Sequence, residues 1–208
     1  DQMIYFIFII FVMLKICAEA NYIGSGSCPD SWKHSRMGAI DFDKFSGLWF
    51  RYMELAKKTS PNKAPTNSCI TEIYSKSKKT LSRKLVAVQR GAATVLERAP
   101  LKWNSNGIIQ FLSAGNDDAD KLYVWKTDYT TYAITVTCVD QSIYGIRFYK
   151  ANLMLLTRSI YPKYKMLQQS FKWLNNQDVL ILMKSLKRPF CWKEIPDHKL
   201  TNITEINK

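Results

Sequence analysis

The chain has 208 residues, of which 47% are hydrophobic and 13% aromatic, and 30 basic residues against 17 acidic ones give a formal net charge of +13. This composition excludes an intrinsically disordered chain, because it supplies enough apolar side chains for a core, and the length suits one domain or two small ones. Only His34 and His198 are histidines, so a histidine-rich zinc site is excluded and we expect neither a metal nor a cofactor.

An apolar run opens the chain and a cleavage pattern follows it. The run, residues 4–14, is shorter than the roughly 20 residues of a membrane span and fits the roughly 7–15 residues of a signal-peptide core. The sequence Ala18-Glu19-Ala20 then matches the small-x-small cleavage pattern. We interpret residues 1–20 as a secretory signal peptide, with an uncleaved anchor as the alternative, and expect a secreted protein without a membrane span.

Cleavage after Ala20 leaves an even number of cysteines. They are Cys28, Cys69, Cys138 and Cys191. Four cysteines in an oxidising compartment indicate two disulfides, for which three connectivities exist. Free buried thiols are the alternative.

Turn-forming residues divide the central part of the chain into eight short segments of strand composition. We predict strands at 47–56, 69–77, 81–90, 92–99, 107–114, 121–127, 131–139 and 145–158. In residues 132–137 the threonines alternate with Ile134 and Val136, and in residues 122–126 the rings of Tyr123 and Trp125 share a face.

The segment after the strands has helical spacing instead. Residues 163–175 follow a proline and place apolar side chains three or four residues apart, and residues 179–183 suit a last short strand. Eight strands and one helix predict an all-β fold, an eight-stranded antiparallel up-and-down barrel with one C-terminal α-helix packed outside. We expect this domain to span residues 21–196, before a polar tail, 197–208, that carries an N-glycosylation sequence at Asn202.

Three sequence blocks resemble the signature blocks of the lipocalin family and occur in the same order. They are residues 42–50 with Gly47-x-Trp49, residues 127–133 with Thr127-Asp128-Tyr129, and residues 155–159 with Arg158. The resemblance runs from Cys28 to about Pro196 and is closest to the apolipoprotein D and insect bilin-binding branch.

The resemblance implies structural roles at the closed end of the barrel. Gly47 and Trp49 would form the floor, and Arg158 would stack on the indole ring, a contact of about 0.5–2 kcal/mol. Asp128 would accept backbone N–H bonds in the turn between the sixth and seventh strands. The family pattern also implies two disulfides, Cys28–Cys138 and Cys69–Cys191.

An eight-stranded barrel has room for one small ligand. The candidate wall residues are Tyr74, Phe111, Tyr123, Trp125, Met154 and Leu156. Alternation alone supports Phe111 and Trp125, the resemblance supports the other four, and plain core packing is the alternative for each. Such a lining favours a flat or flexible apolar molecule, so we expect a secreted, monomeric carrier of a small hydrophobic ligand such as a lipid, sterol, pigment or pheromone.

Basic residues indicate a second function. One cluster lies around the hairpin between the second and third strands and contains Lys76, Lys78, Lys79, Arg83 and Lys84; another, near Cys191, contains Lys184, Lys187, Arg188 and Lys193. Such a surface attracts polyanions or acidic membranes, so the alternative is a secreted scaffold that acts on a protein or a polyanion, as in saliva or venom. A merely solvated surface also explains the charge. No nucleic-acid-binding motif occurs, and we expect no nucleic acid as partner.

The sequence does not favour an enzyme, because it contains no G-x-S-x-G, H-E-x-x-H or P-loop motif. It departs from the family pattern at Arg51 and Tyr52, which replace the usual Glu-Ile, and in residues 94–99, which lack a Glu-Gly-Glu run. These positions lie on walls that flank the expected cavity. The resemblance therefore does not define the ligand.

Overall fold

The computed structural model describes residues 22–34, 36–55, 69–77, 80–89, 92–104, 106–112, 121–177 and 183–185. The strands in these ranges are β1 (Tyr22–Ser25), β2 (Gly47–Leu55), β3 (Cys69–Lys76), β4 (Leu81–Gln89), β5 (Ala92–Trp103), β6 (Ile108–Phe111), β7 (Lys121–Thr127), β8 (Tyr132–Ile143), β9 (Ile146–Thr157) and β10 (Met183–Ser185). The helices are a 3₁₀ turn (Asp30–Trp32), α1 (Phe42–Phe45) and α2 (Tyr164–Asn175).

Strands β2–β9 form a closed barrel. Each pairs antiparallel with the next along the chain, and β9 pairs with β2 to complete the circle. The predicted fold class is therefore confirmed. Strands β5 and β8 are those whose ends depart most from prediction: β5 continues to Trp103 and β8 to Ile143, because each stays paired with its neighbour beyond the expected turn.

A second apolar core lies outside the barrel, beneath α2 and the N-terminal segment. Met166 and Leu174 of α2 and Trp32 of the 3₁₀ turn are buried in one cluster with side chains of β7, β8 and β9. The amphipathic spacing that predicted the helix therefore places its apolar side on the barrel wall. Both faces of these strands are consequently buried, one inside the barrel and one under the helix.

A disulfide between Cys28 and Cys138 ties the N-terminal segment to β8, as the resemblance implied. Cys69 is disulfide-bonded as well. Its expected partner, Cys191, lies outside the described residues. So do the signal-peptide interpretation of residues 1–20, the loop residues Lys78 and Lys79, the C-terminal basic residues Lys187, Arg188 and Lys193, and the glycosylation sequence at Asn202. In the described ranges, none of the helices has the length and apolar character needed to cross a membrane.

Candidate functional site

Trp49 closes one end of the barrel. Its ring is fully buried, its Nε1 donates to the carbonyl of Phe45 at 2.8 Å, and the two rings lie 5.3 Å apart between centroids. The guanidinium carbon of Arg158 lies 3.7 Å from the centroid of the Trp49 ring, so the predicted contact is confirmed. Gly47 has a φ of +101°, and a Cβ there would lie 3.0 Å from Nη1 of Arg158. Glycine therefore leaves room for the guanidinium.

Arg158 also joins three parts of the closed end by hydrogen bonds. Its nitrogens donate to the carbonyls of Lys44, Phe45, Ser46, Leu48 and Tyr129 at 2.8–3.1 Å. Burial lowers the pKa of Arg158 to about 10, although the charge of Asp128 opposes this shift. The side chain is thus cationic at neutral pH, and one residue links the end of α1, the start of β2 and the turn before β8.

Asp128 organises that turn as predicted. Its Oδ1 accepts the backbone N–H groups of Thr130, Thr131 and Tyr132 at 2.7–3.1 Å, and the Thr131 hydroxyl donates to Oδ2. Burial alone would raise the pKa of Asp128, but the hydrogen bonds from Thr131, Tyr132 and Thr130 outweigh it and lower the pKa. The carboxylate is therefore a structural group of the closed end.

Four of the six predicted wall residues lie on the inner face of the barrel. Tyr74, Phe111, Met154 and Leu156 belong to the same buried cluster as Trp49. Further inner side chains of this cluster are Leu101, Ile109, Leu122, Val124 and Ala133. The wall made by β6–β9 is therefore mainly apolar, as expected, and the contact of these residues with a ligand stays a prediction.

Tyr123 and Trp125 lie on the outer face, contrary to prediction. Val124 takes the inner position between them, while the ring of Trp125 packs against Trp32 and Trp173, with centroids 5.9 and 6.2 Å apart. Alternation correctly put both aromatics on one face of β7. It could not say which face, because hydrophobicity does not distinguish the barrel interior from the buried surface under α2.

Charged side chains of β2 and β3 lie on the inner face just above the floor. In the sheet register, Arg51 is opposite Leu156 and Glu72 is opposite Trp49, both inner residues. Nε of Arg51 donates to Oε1 of Glu72 at 2.6 Å, and the Tyr74 hydroxyl donates to Oε2 at 2.5 Å. The expectation of an apolar lining is therefore wrong for this side of the barrel.

Arg83 is opposite Tyr74 in the sheet register, and we call Arg51, Glu72, Tyr74 and Arg83 the polar layer. Nη2 of Arg83 donates to Oε1 of Glu97 at 2.7 Å, and its Cζ lies 4.2 Å from the centroid of the Phe111 ring. Sequence analysis had placed Arg83 in a surface cluster with Lys84, which is wrong for Arg83. Successive residues of a strand point to opposite faces, so these two cannot share a surface.

Burial and charge set the protonation of the polar layer. Burial raises the pKa of Glu72, but the charges of Arg51 and Arg83 and the hydrogen bond from Tyr74 outweigh it, so the pKa lies below its usual value. Burial and then the charge of Glu72 raise the pKa of Tyr74 well above its usual value. At neutral pH the carboxylate is therefore ionised and the phenol is a neutral donor.

Two buried polar atoms of the inner face have no hydrogen-bond partner among the described residues. They are Nε of Arg83 and Oγ1 of Thr135. Thr135 is fully buried on β8, opposite the inner residue Met154 in the sheet register. A buried donor without a partner costs about 1–3 kcal/mol, and more when it is charged. These atoms are therefore candidates for contact with a bound molecule.

Sequence reasoning missed the polar layer although a signal for it existed. Arg51 was recognised as a departure from the family pattern, but its partner was not. Glu72 precedes the inner residue Tyr74 by two positions, and Arg51 follows the inner residue Trp49 by two. Because alternate residues of a strand share a face, this spacing alone puts both charges inside the barrel.

An open groove lies on the outer surface, beside the β8–β9 hairpin. It has a volume of about 330 Å³ and is lined by Gly26, Ser27, Asp140, Gln141, Ser142 and Arg147. Asp140 accepts hydrogen bonds there from the backbone N–H of Cys28 and from Lys33. In the part of the chain that the structure describes, no group of three or more His, Cys, Asp or Glu side chains could hold a metal ion.

Comparison with solved structures finds the same architecture in arthropod proteins. Insecticyanin from the tobacco hornworm Manduca sexta superimposes with a TM-score of 0.64 at 17% identity, covering 84% of this chain and 93% of that chain. The fold is that of the lipocalins. Lobster apocrustacyanin A1 gives a TM-score of 0.54 at 14% identity over 76% and 91% of the two chains, and the cockroach allergen Per a 4 gives 0.55 at 13% identity over 83% and 98%.

Sequence comparison alone finds no relative: no family model and no curated protein matches this chain. The identities to the lipocalin structures lie below 20%, so they establish a shared fold and no shared ligand.

Proposed function

We propose that this chain is a member of the lipocalin family that binds a small, largely apolar ligand inside its barrel. The observation that carries the proposal is the inner apolar wall of β6–β9 above a base sealed by Trp49 and Arg158. Apolar area removed from water at such a wall contributes about 25 cal/mol per Å². The fold shared with insecticyanin and apocrustacyanin supports this class of function.

We further propose that the protein is secreted after removal of residues 1–20 and is related to the apolipoprotein D and insect bilin-binding branch. The Cys28–Cys138 disulfide supports secretion, because such bonds persist in oxidising compartments. The three signature blocks and the implied disulfide pattern support the branch. Tyr74, Phe111, Met154 and Leu156 are the proposed ligand contacts.

Titration of the purified protein with fatty acids, retinoids, tetrapyrroles and sterols tests ligand binding. At least one class should bind saturably, and Met154→Trp, which enlarges an inner side chain, should weaken that binding by about tenfold or more. Ile146→Trp is the matched control, since Ile146 is exposed at the β8–β9 hairpin. No saturable binding in any class, or equal binding by both variants, would contradict the proposal. Thermal melts establish that both variants fold.

A second candidate function is binding of a polyanion on the outer face of β4 and β5. Lys84 and Arg98 are directly opposite in the sheet register. Burial and then the charge of Arg98 lower the pKa of Lys84. Like charges in this position destabilise a sheet, so an anion that contacts both would be favoured.

Heparin affinity chromatography distinguishes a local site from overall charge. Lys84→Glu/Arg98→Glu should elute at lower salt than the control Lys163→Glu/Lys165→Glu, which changes the net charge equally but at α2. Equal elution of the two double variants would mean that only net charge matters.

A further inference from the structure

We propose that the barrel interior selects an uncharged ligand with a hydrogen-bond acceptor, such as a ketone oxygen, and that the Nε–H group of Arg83 donates to it. The inference rests on the proposed function, because it specifies which kind of ligand the interior accepts. It concerns the polar layer and is independent of the basic outer face.

The position of Arg83 leaves one edge of its guanidinium without a partner. The side chain extends from β4 past Ala99 of β5, its register partner, to the Phe111 ring of β6. The Phe111 ring lies beside the guanidinium plane, 4.2 Å from Cζ to the ring centroid, and Glu97 accepts from Nη2. The Nε–H bond lies in that plane and points along a different edge. It is buried and has no partner among the described residues, so an acceptor on a ligand would complete its bonding.

In the described part of the interior, the cations are already matched or outnumbered by carboxylates without a ligand. Arg51 and Arg83 are the buried cations, Glu54 and Glu72 are the buried carboxylates, and Glu97 adds a half-exposed carboxylate beside Arg83. A ligand carboxylate would therefore add a negative charge with no free cation to pair with it. A ligand cation would meet the guanidinium of Arg83. A carbonyl oxygen supplies the missing acceptor and adds no net charge.

Thr135 is a second buried polar residue, on the wall opposite Arg83. It lies on β8, four strands from β4 in a barrel of eight, and its hydroxyl is fully buried without a partner among the described residues. A hydroxyl can donate or accept. A flat ligand with a second polar atom on its opposite edge would thus be held at both walls.

Three flat probes that differ in one group test the inference: pyrene, 1-acetylpyrene and 1-pyrenecarboxylate, titrated at neutral pH. The ketone should bind about tenfold more tightly than pyrene, the effect of one added hydrogen bond, and the carboxylate should bind no more tightly than pyrene. In Arg83→Lys, which keeps a cation for Glu97 but lacks the Nε–H group, the ketone and pyrene should bind equally. Arg98→Lys, on the outer face of β5, is the matched control and should keep the ketone preference.

The outcomes separate this inference from the proposed function. If all three probes bind with equal affinity, if the carboxylate binds best, or if Arg83→Lys keeps the ketone preference, the inference is overturned while ligand binding stands. If none of the three probes binds but another class of ligand binds in the titration above, the inference about Arg83 is overturned and the proposed function stands. Absence of binding in both experiments counts against the proposed function itself. Arg83→Met, which removes the cation as well, should give the same loss of preference.

Discussion

Arg158 stacks on Trp49 with 3.7 Å between its guanidinium carbon and the ring centroid, and the same guanidinium donates to five backbone carbonyls. Arginine suits this position because its planar fork presents several donors while its face covers an aromatic ring. A lysine carries the same charge but has neither property. The contact therefore depends on the shape of the guanidinium as well as on its charge.

Replacing Arg158 by lysine should lower the free energy of unfolding by about 2–4 kcal/mol, since several charge-assisted hydrogen bonds and the stacking contact are lost. Urea denaturation followed by circular dichroism measures this change. Arg98→Lys, at an exposed position, should stay within about 0.5 kcal/mol of wild type. Equal stability of the two variants would show that the Arg158 contacts contribute little.

Glu72→Gln should destabilise the protein by about 3–5 kcal/mol, because it leaves the buried Arg51 guanidinium without its principal counter-charge. Glu97→Gln is the matched control, since the Glu97 side chain is 48% exposed and its pair with Arg83 should contribute about 1 kcal/mol or less. Chemical denaturation of both variants at neutral pH compares them. A larger loss of unfolding free energy for Glu97→Gln than for Glu72→Gln would contradict the role of Glu72 as the principal counter-charge of the polar layer.

The stability that Asp128 contributes should disappear in acid. Its pKa is lower in the folded protein than its ordinary value of 3.8, so the contribution is fully present above that value and is lost as the pH falls through the folded one. Asp128→Asn keeps an acceptor oxygen but not the charge. The gap in unfolding free energy between wild type and this variant should therefore narrow as the pH is lowered from about 6 to about 2. A gap that stays constant over this range would contradict the assigned pKa direction.

Removal of the Cys28–Cys138 disulfide should lower the free energy of unfolding. The two cysteines are 110 residues apart, and loss of a native disulfide costs about 2–5 kcal/mol. The variant Cys28→Ser/Cys138→Ser should thus unfold at a lower urea concentration than wild type under oxidising conditions. Under reducing conditions the two proteins should have nearly the same midpoint. A midpoint difference that persists there would point to a packing effect of the substitutions instead.

Trp125 should matter for stability and not for ligand affinity. Trp125→Phe is expected to cost about 1–3 kcal/mol, because the smaller ring leaves space between Trp32 and Trp173. Its affinity for 1-acetylpyrene should stay within about twofold of wild type. Phe111→Ala, on the inner face, is the comparison and should weaken that affinity. Weaker binding by Trp125→Phe alone would show that the ligand does not occupy the barrel interior.

The alternation along strands and the turn residues were sufficient to predict the eight barrel strands, and the helical spacing of apolar residues predicted the outer helix. All of these patterns are local properties of the chain. The blocks around Trp49, Asp128 and Arg158 were also sufficient to place the closed end. The interior was predicted only in part. Arg51, Glu72 and Arg83 were not recognised as inner residues, because isolated charges in a strand are usually exposed.

The sequence by itself determined which side chains share a face of each strand, because the two-residue period of a strand is a property of the backbone. Only the tertiary structure decided which of two buried faces points inward. For β7 that choice depends on where α2 and the N-terminal segment cover the barrel, and it put Trp125 outside. Arg51 and Glu72 lie on neighbouring strands, so their ion pair depended on the register between β2 and β3, which the pattern of neither strand contains by itself.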